Sequence, residues 1–295
     1  MADQPNPATT PANGAALAAS PLPGFPERGV PIFSGFNRLG LWTLYMKEVR
    51  RFFKVQTQTI WAPAMTTLLY LMIFTVAMGR GGREVLGVPF ASFIAPGLIV
   101  MGMVSNAFAN TSFNFLAGKI QGTIVDYLMP PLSNIELIIG LIGAAVTRAV
   151  LVGMAIALAM LLWPGVTLYV SHPWAIAYFG LVGSTLLAII GLITSLWAEK
   201  FDHAAMVTNF VITPLTMLSG TFYVIHNLSP AFQAVSRANP FFYVISGFRF
   251  GFLGQSDIGA TNAAVFNGAL YLGLLTLVMG WVLYALLKSG WKLKS

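Results

Sequence analysis

The segment LSGTFYVIHNLSPAFQAVSRANPFFYVISGFR, residues 218–249, is too apolar for an ordinary loop and too interrupted to cross a bilayer twice. Its charged side chains are two arginines, and Pro230 and Pro240 would each end or kink a helix that ran through them. Irregular backbone persists at membrane depth only where protein or a water-filled cavity covers it, because hydrocarbon offers no hydrogen bonds. We therefore expect residues 226–255 to form a re-entrant outer helical hairpin that lines or covers an internal space.

The rest of the chain has the composition of a polytopic membrane protein. Its 295 residues are 57% hydrophobic and 8% charged, and the mean hydropathy is +0.76. A helix needs about 20 apolar residues to cross about 30 Å of hydrocarbon. The sequence predicts an all-α membrane protein with six transmembrane helices, the last of which follows the hairpin. The spans are placed at residues 55–79, 91–116, 136–162, 174–197, 204–225 and 264–287.

The basic residues fall mainly on one side of these spans. They precede the first span, occupy the second and fourth connections as Lys119 and Lys200, and follow the last span. By the positive-inside rule that side is the cytoplasm, so six crossings place both termini inside. This asymmetry accounts for the net charge of +7 without nucleic acid as a partner. The basic residues left outside are Arg80, Arg83, Arg237 and Arg249.

Several kinds of chemistry are excluded by what the sequence lacks. It has no cysteine, so thiolate sites are impossible, and its three histidines form no metal-binding pattern. No phosphate-binding loop occurs, since Gly118-Lys119 is followed by Ile120 instead of a hydroxyl residue. We expect no catalytic residue, cofactor or metal in this chain. If ATP drives the protein, then ATP and magnesium bind to a partner ATPase.

Both ends of the chain are predicted to lie outside the transmembrane domain. Residues 1–38, rich in Pro, Ala and Asn, are expected to form a disordered tail, and residues 289–295 a cytoplasmic one. Residues 39–54 alternate apolar and basic side chains in a helical rhythm. This pattern predicts an amphipathic helix at the cytoplasmic interface, facing anionic membrane lipids. A plain basic flank that fixes orientation is an equally good interpretation.

Two groups of residues resemble a known family. The C-terminal group comprises Pro214, Leu218-Ser219-Gly220-Thr221-Phe222-Tyr223, Leu228-Ser229-Pro230, Asn239-Pro240-Phe241-Phe242-Tyr243 and Gly247-Phe248-Arg249. The earlier group comprises Gly122-Thr123, Asp126, Leu128, Pro131-Leu132-Ser133, Glu136 and Gly140. Both are similar to ABC-2-type transporter permeases, most of all to the bacterial branch that includes the nodulation-factor exporters.

The resemblance implies an ABC-2 transmembrane domain over residues 39–288 in a bacterial inner membrane. It implies a homodimer that works with two copies of a separate ABC ATPase. Residues 118–131 correspond to the family's coupling helix, which contacts the ATPase. The residues expected to serve this coupling are Gly122, Thr123, Asp126, Tyr127, Leu128 and Glu136.

Polar side chains recur inside three of the spans. Asn106, Asn110 and Asn114 lie on one face of the second span, and Asn209, Thr213 and Thr216 on one face of the fifth together with Gly220. Gln58 belongs to the first. Such residues either bond neighbouring helices or face an aqueous path. The resemblance favours a translocation path or dimer interface, because ABC-2 permeases build both from these spans.

Two arginines fall within the apolar region. Arg148 lies inside the third span, where a charge costs about 2.5–3.5 kcal/mol, and the sequence names no partner for it. Pro230, Pro240 and Arg249 are the residues expected to shape the outer hairpin. Arg249 is expected to hold it by donating hydrogen bonds to free carbonyls. A contact with a substrate anion is the alternative.

These observations predict the permease subunit of an ATP-driven exporter whose cargo is amphipathic: a lipid, a lipid-linked glycan or a drug. A membrane-embedded lipid-modifying enzyme is a weaker alternative, since such enzymes need clustered carboxylates and the chain has nine scattered acidic residues. An ion-coupled secondary transporter is weaker too, because Arg148 is its one ionisable residue near mid-membrane.

Overall fold

The chain forms a helical bundle, seen here in a computed structural model. The model describes residues 35–78, 84–163, 165–255, 257–258 and 261–292. Most of the predicted N-terminal tail and residues 293–295 of the C-terminal tail lie outside these ranges. The helix predicted over residues 39–54 is present as α1 (Arg38–Lys54), and the Asn37 side chain caps its first turn. Arg38 therefore belongs to this helix and not to the tail. The location of α1 at the membrane interface stays a prediction.

Helices dominate the described residues. In chain order the elements after α1 are a π-helical turn (Thr57–Trp61), α2 (Ala62–Met78), β1 (Glu84–Val85), β2 (Val88–Pro89), α3 (Phe90–Ile120), α4 (Val125–Leu128), α5 (Asn134–Leu161), α6 (Pro173–Trp197), α7 (Phe201–Val207), a second π turn (Thr208–Ile212), α8 (Thr213–Met217), a 3₁₀ turn (Ile225–Asn227), α9 (Pro230–Ala238), α10 (Pro240–Leu253) and α11 (Asn262–Ser289). The two strands form one short antiparallel hairpin. The predicted all-α membrane class is confirmed.

Five helices in the described ranges are long and apolar enough to cross a membrane: the first π turn with α2, then α3, α5, α6 and α11. The span predicted at 204–225 is shorter than expected. Helix continues through α7, the second π turn and α8, which contribute seven, five and five residues, and then gives way to turns. That length reaches about 25 Å, slightly less than the hydrocarbon core. The count of six crossings therefore stays a prediction.

The two π turns have a common cause in the sequence. Each ends two residues before a proline, Pro63 in the first case and Pro214 in the second. A proline ring collides with the carbonyl four residues earlier, and in both helices that carbonyl lies in the π turn. The wider turn moves it away from the ring.

The outer segment forms the expected helical hairpin, α9 followed by α10. The sequence suggested that Pro230 and Pro240 interrupt helices. In the structure each proline is instead the first residue of a helix. At the first helical position a missing N–H removes no hydrogen bond. Between the helices, Asn239 accepts a bond from Phe241 N (3.0 Å) and donates to Leu215 O (2.6 Å). Re-entry into a membrane stays a prediction.

Helix α3 lies at the centre of the bundle. Its most apolar stretch is 83% buried, whereas the corresponding stretches of the first span and α11 are 22% and 17% buried. Helix α3 packs closely against α6, and Thr111 Oγ1 of α3 donates to the backbone oxygen of Ala188 in α6 at 2.8 Å. A Cβ added at Gly191 would lie 2.5 Å from Phe108 O, so this crossing requires glycine.

Candidate functional site

Arg148 and the asparagines of α3 form one hydrogen-bonded group, here called the Arg148 cluster. Arg148 lies halfway along the 28-residue α5. Its Nη2 donates to Asn106 Oδ1 (3.1 Å) and its Nη1 to Asn110 Oδ1 (3.2 Å). Asn114 Nδ2 donates to the same Asn110 oxygen at 2.7 Å. The structure thus joins the predicted stripe of three amides and supplies the partners of Arg148.

A cavity of about 350 Å³, the α2–α3 cavity, opens beside this cluster. Asn106 forms part of its wall, where Nδ2 donates to Gly102 O at 3.0 Å. Gln58, predicted for the path, lies in the same wall. Its lining residues are uncharged, and the other hydrogen-bonding ones are Thr66, Thr67, Tyr70 and Ser105. Such a wall offers both hydrogen bonds and apolar contact to a ligand.

The polar residues of the fifth span do not share one face. Asn209 and Thr213 are exposed, whereas Thr216 is 1% exposed. The prediction assumed 3.6 residues per turn, but the second π turn changes that spacing, and Gly220 lies beyond the end of α8. Thr213 Oγ1 donates to its own helix at Thr208 O (2.9 Å). The single-face prediction is therefore wrong here.

The predicted coupling segment leaves α3 through a tight turn and forms the single turn α4. Gly122 has φ +73°, a conformation that favours glycine. Ile124, not Thr123, occupies the N-cap position of α4, and it makes no side-chain capping bond. Four apolar residues of this segment, the coupling patch, stand 45–78% exposed: Ile120, Val125, Leu128 and Met129.

Tyr127 faces the opposite way and fastens α4 to α1. It is 5% exposed, and its hydroxyl donates to Glu48 Oε1 (2.8 Å) and accepts from Arg51 Nη1 (3.1 Å). Burial and the adjacent Glu48 carboxylate raise the pKa of Tyr127 to about 12. Asp126 lies 3.9 Å from Lys47 at the surface. Glu48 was missed, although a lone acid among the bases of α1 was a usable signal.

Glu136, also predicted to couple, is 1% exposed and joins α5 to α1 instead. One carboxylate oxygen accepts from Asn37 N and the other from Ser133 N (2.6 Å). The Ser133 hydroxyl accepts from Glu136 N (3.3 Å), which completes a capping box for α5. Neither Tyr127 nor Glu136 presents its side chain to a partner.

Lysines close the same end of the bundle. Lys119 Nζ donates to three carbonyls at the end of α6, those of Ser195 (3.2 Å), Leu196 (2.7 Å) and Ala198 (2.9 Å). Lys292 Nζ lies 2.8 Å from Glu199 Oε1, and this bond lowers the pKa of Glu199. These contacts tie α3 and the end of the chain to α6.

Arg249, predicted to hold the outer hairpin, lies in α10 and is fully buried. Its Nη2 donates to Gly220 O (2.8 Å) and Thr221 O (3.1 Å). Its guanidinium lies 4.0 Å from the centre of the Phe93 ring. Its Nη1 donates to Asp257 Oδ2 (3.2 Å), a partner that the sequence analysis missed. This placement favours a structural role over contact with a substrate anion.

Comparison with known proteins gives a consistent picture. The family model described as ABC-2 type transporter matches residues 40–253, from α1 to the end of α10. The inner membrane transport permease YadH of Escherichia coli K12 is 36% identical over 222 residues, covering 75% of this chain and 85% of YadH. Nodulation protein J of Rhizobium meliloti is 25% identical over 217 residues, covering 73% and 81%. Nodulation protein J of Rhizobium leguminosarum bv. viciae is 26% identical over 225 residues, covering 75% and 84%.

Proposed function

The chain belongs to the ABC-2 type transporter family, whose members are transmembrane subunits served by a separate ATPase, and we propose that it is the permease of an exporter. It is a multi-pass inner membrane protein. The proposed cargo is amphipathic, a lipid, a lipid-linked glycan or a drug, and leaves the cytoplasm or the inner leaflet. Two copies of the chain act with two ATPase subunits, which bind ATP and magnesium, and both termini face the cytoplasm.

The coupling patch carries this proposal. Four apolar side chains exposed on one short segment form a surface that a groove on a partner protein can cover. The bonds from Tyr127 to Glu48 and Arg51 hold that surface to α1. A displacement of α4 would therefore move α1 as well. The bond from Asn37 N to Glu136 would carry that movement to the start of α5.

The proposed path is the α2–α3 cavity, closed by a second copy of the chain. Large apolar side chains along the first span are exposed in the single chain, among them Trp61, Met65 and Leu69 at 53–65%. Lipid or a second subunit can cover such a face. The mixed wall of the cavity suits an amphipathic molecule, because its uncharged polar groups and apolar groups lie side by side.

The first experiment is purification of the tagged chain from its native membranes in mild detergent, followed by identification of co-eluting proteins and an assay of ATP hydrolysis. We expect an ABC ATPase in a 1:1 ratio with the chain. A homo-oligomer without an ATPase, from membranes in which other transporter complexes stay intact, would contradict the proposal.

A matched pair of variants tests the coupling patch. Leu128→Asp places a charge in the patch and should abolish co-elution of the ATPase while the chain still inserts. Val170→Asp makes the same change at an exposed residue between α5 and α6 and should leave co-elution intact. Equal recovery of ATPase with both variants would move the docking surface elsewhere.

A further inference from the structure

Arg148 has no ion-pair partner in the part of the chain that the structure describes. Within the described ranges no carboxylate lies within 4.0 Å of it, and the four ion pairs present use other bases. Its partners, Asn106 and Asn110, supply hydrogen bonds but no negative charge. Its Nε is buried without a hydrogen-bond partner in the part of the chain described. A cation at this depth is costly unless an anion pairs with it.

A second copy of the chain cannot supply that anion from its own spans. The five span helices contain one acidic residue, Glu136. Both of its oxygens are already engaged, by Asn37 and Ser133. Dimerisation therefore brings a second unpaired Arg148 and no free carboxylate from these five helices. A ligand that enters the α2–α3 cavity would supply the missing charge.

The cluster is placed where a ligand can reach it. Asn106, which accepts from Arg148, is also part of the wall of the α2–α3 cavity. If this amide turned aside, Nη2 would lose its acceptor and could donate to a phosphate or carboxylate instead. The same wall includes the apolar side chains of Leu98 and Met101, which an alkyl chain can contact.

We propose that the Arg148 cluster binds the anionic head group of an amphiphile in the α2–α3 cavity. The inference rests on the proposed function and narrows it: the cargo carries a phosphate or carboxylate next to its apolar part. Asn110 positions the guanidinium, the anionic group takes the place of Asn106, and Arg148 supplies the charge. Neutral and cationic amphiphiles of the same length bind more weakly.

The test measures thermal unfolding of the purified full-length chain in a neutral maltoside detergent. Dodecyl phosphate is the probe, with octaethylene glycol dodecyl ether, dodecyltrimethylammonium and inorganic phosphate as comparisons. We expect dodecyl phosphate alone to raise the unfolding midpoint, with its apparent affinity reduced at least tenfold in Arg148→Met. Lys288→Met removes an exposed positive charge at the end of α11 and should bind as the wild type does.

A second variant keeps the test decisive if Arg148→Met does not fold. Asn110→Asp is nearly isosteric and sets a carboxylate against the guanidinium, so it should fold and still lose at least tenfold in affinity. Wild-type affinity in this variant, or equal stabilisation by the neutral ether, would show a purely structural cluster. A full shift from inorganic phosphate would overturn the assignment to an amphiphile. No ATPase enters this assay, so its failure is distinct from failure of the exporter proposal.

Discussion

Replacing Asp257 with Asn should destabilise the outer hairpin far more than an ordinary surface change does. Arg249 and Asp257 lie 3.2 Å apart with side chains 0% and 1% exposed. At that distance, with an effective dielectric constant of about 20, their attraction is about 5 kcal/mol. Removing one partner leaves the other charge buried and uncompensated, and such a change typically costs about 3–5 kcal/mol. We expect that loss in the free energy of unfolding.

The assay is unfolding of the purified chain in mixed micelles by titration with SDS, followed by circular dichroism. Asp257→Asn, Arg249→Met and the double variant form a cycle. The loss of unfolding free energy in the double variant should be about 1–3 kcal/mol smaller than the sum of the two single losses, because the double variant leaves no unpaired charge. Asp202→Asn, at an exposed position, is the matched control. A loss below about 0.5 kcal/mol for Asp257→Asn, or additive single losses, would refute the reasoning.

Three further predictions use the same unfolding measurement. Gly191→Ala should lower the free energy of unfolding by about 1–3 kcal/mol, because the new Cβ meets the Phe108 carbonyl oxygen, a backbone atom that cannot move aside. Gly143→Ala is the control and should cost nothing, since the nearest atoms lie 3.7 Å from its Cβ. Equal effects of the two changes would contradict the close crossing of α3 and α6. Lys119→Met should lower the free energy of unfolding by about 1–2 kcal/mol, because three hydrogen bonds to carbonyls at the end of α6 are lost. Lys288→Met should leave it unchanged. Equal losses for the two variants would show that the carbonyl bonds of Lys119 do not stabilise the fold. Tyr127 has its pKa raised to about 12, so it stabilises the fold below pH 10 and loses that contribution between pH 10 and 12. Tyr127→Phe should therefore lose about 2 kcal/mol less than the wild type over that interval, and parallel curves would argue against a buried hydroxyl.

The sequence by itself determined the membrane class, the helix α1 ahead of the first span and the positions of most candidate spans. The free energy of transferring a helix into hydrocarbon is close to a sum over the residues of that helix. A local hydropathy average therefore predicts the spans. Family resemblance added the proposed coupling role of residues 118–131. Local backbone departures were harder to predict: the π turn before Pro214 ended the single polar face expected from Asn209 to Gly220.

Which polar groups meet was decided only by the tertiary structure. Arg148 bonds to residues 38 and 42 positions earlier, and Tyr127 to a carboxylate 79 positions earlier, on helices whose relative rotation no local pattern fixes. Asp257 meets Arg249 because the chain turns back after α10, which the residues between them do not predict. The physical reason is that apolar burial is nearly additive and non-directional, whereas a buried charge needs a particular atom within about 3 Å, set by the packing of the whole bundle.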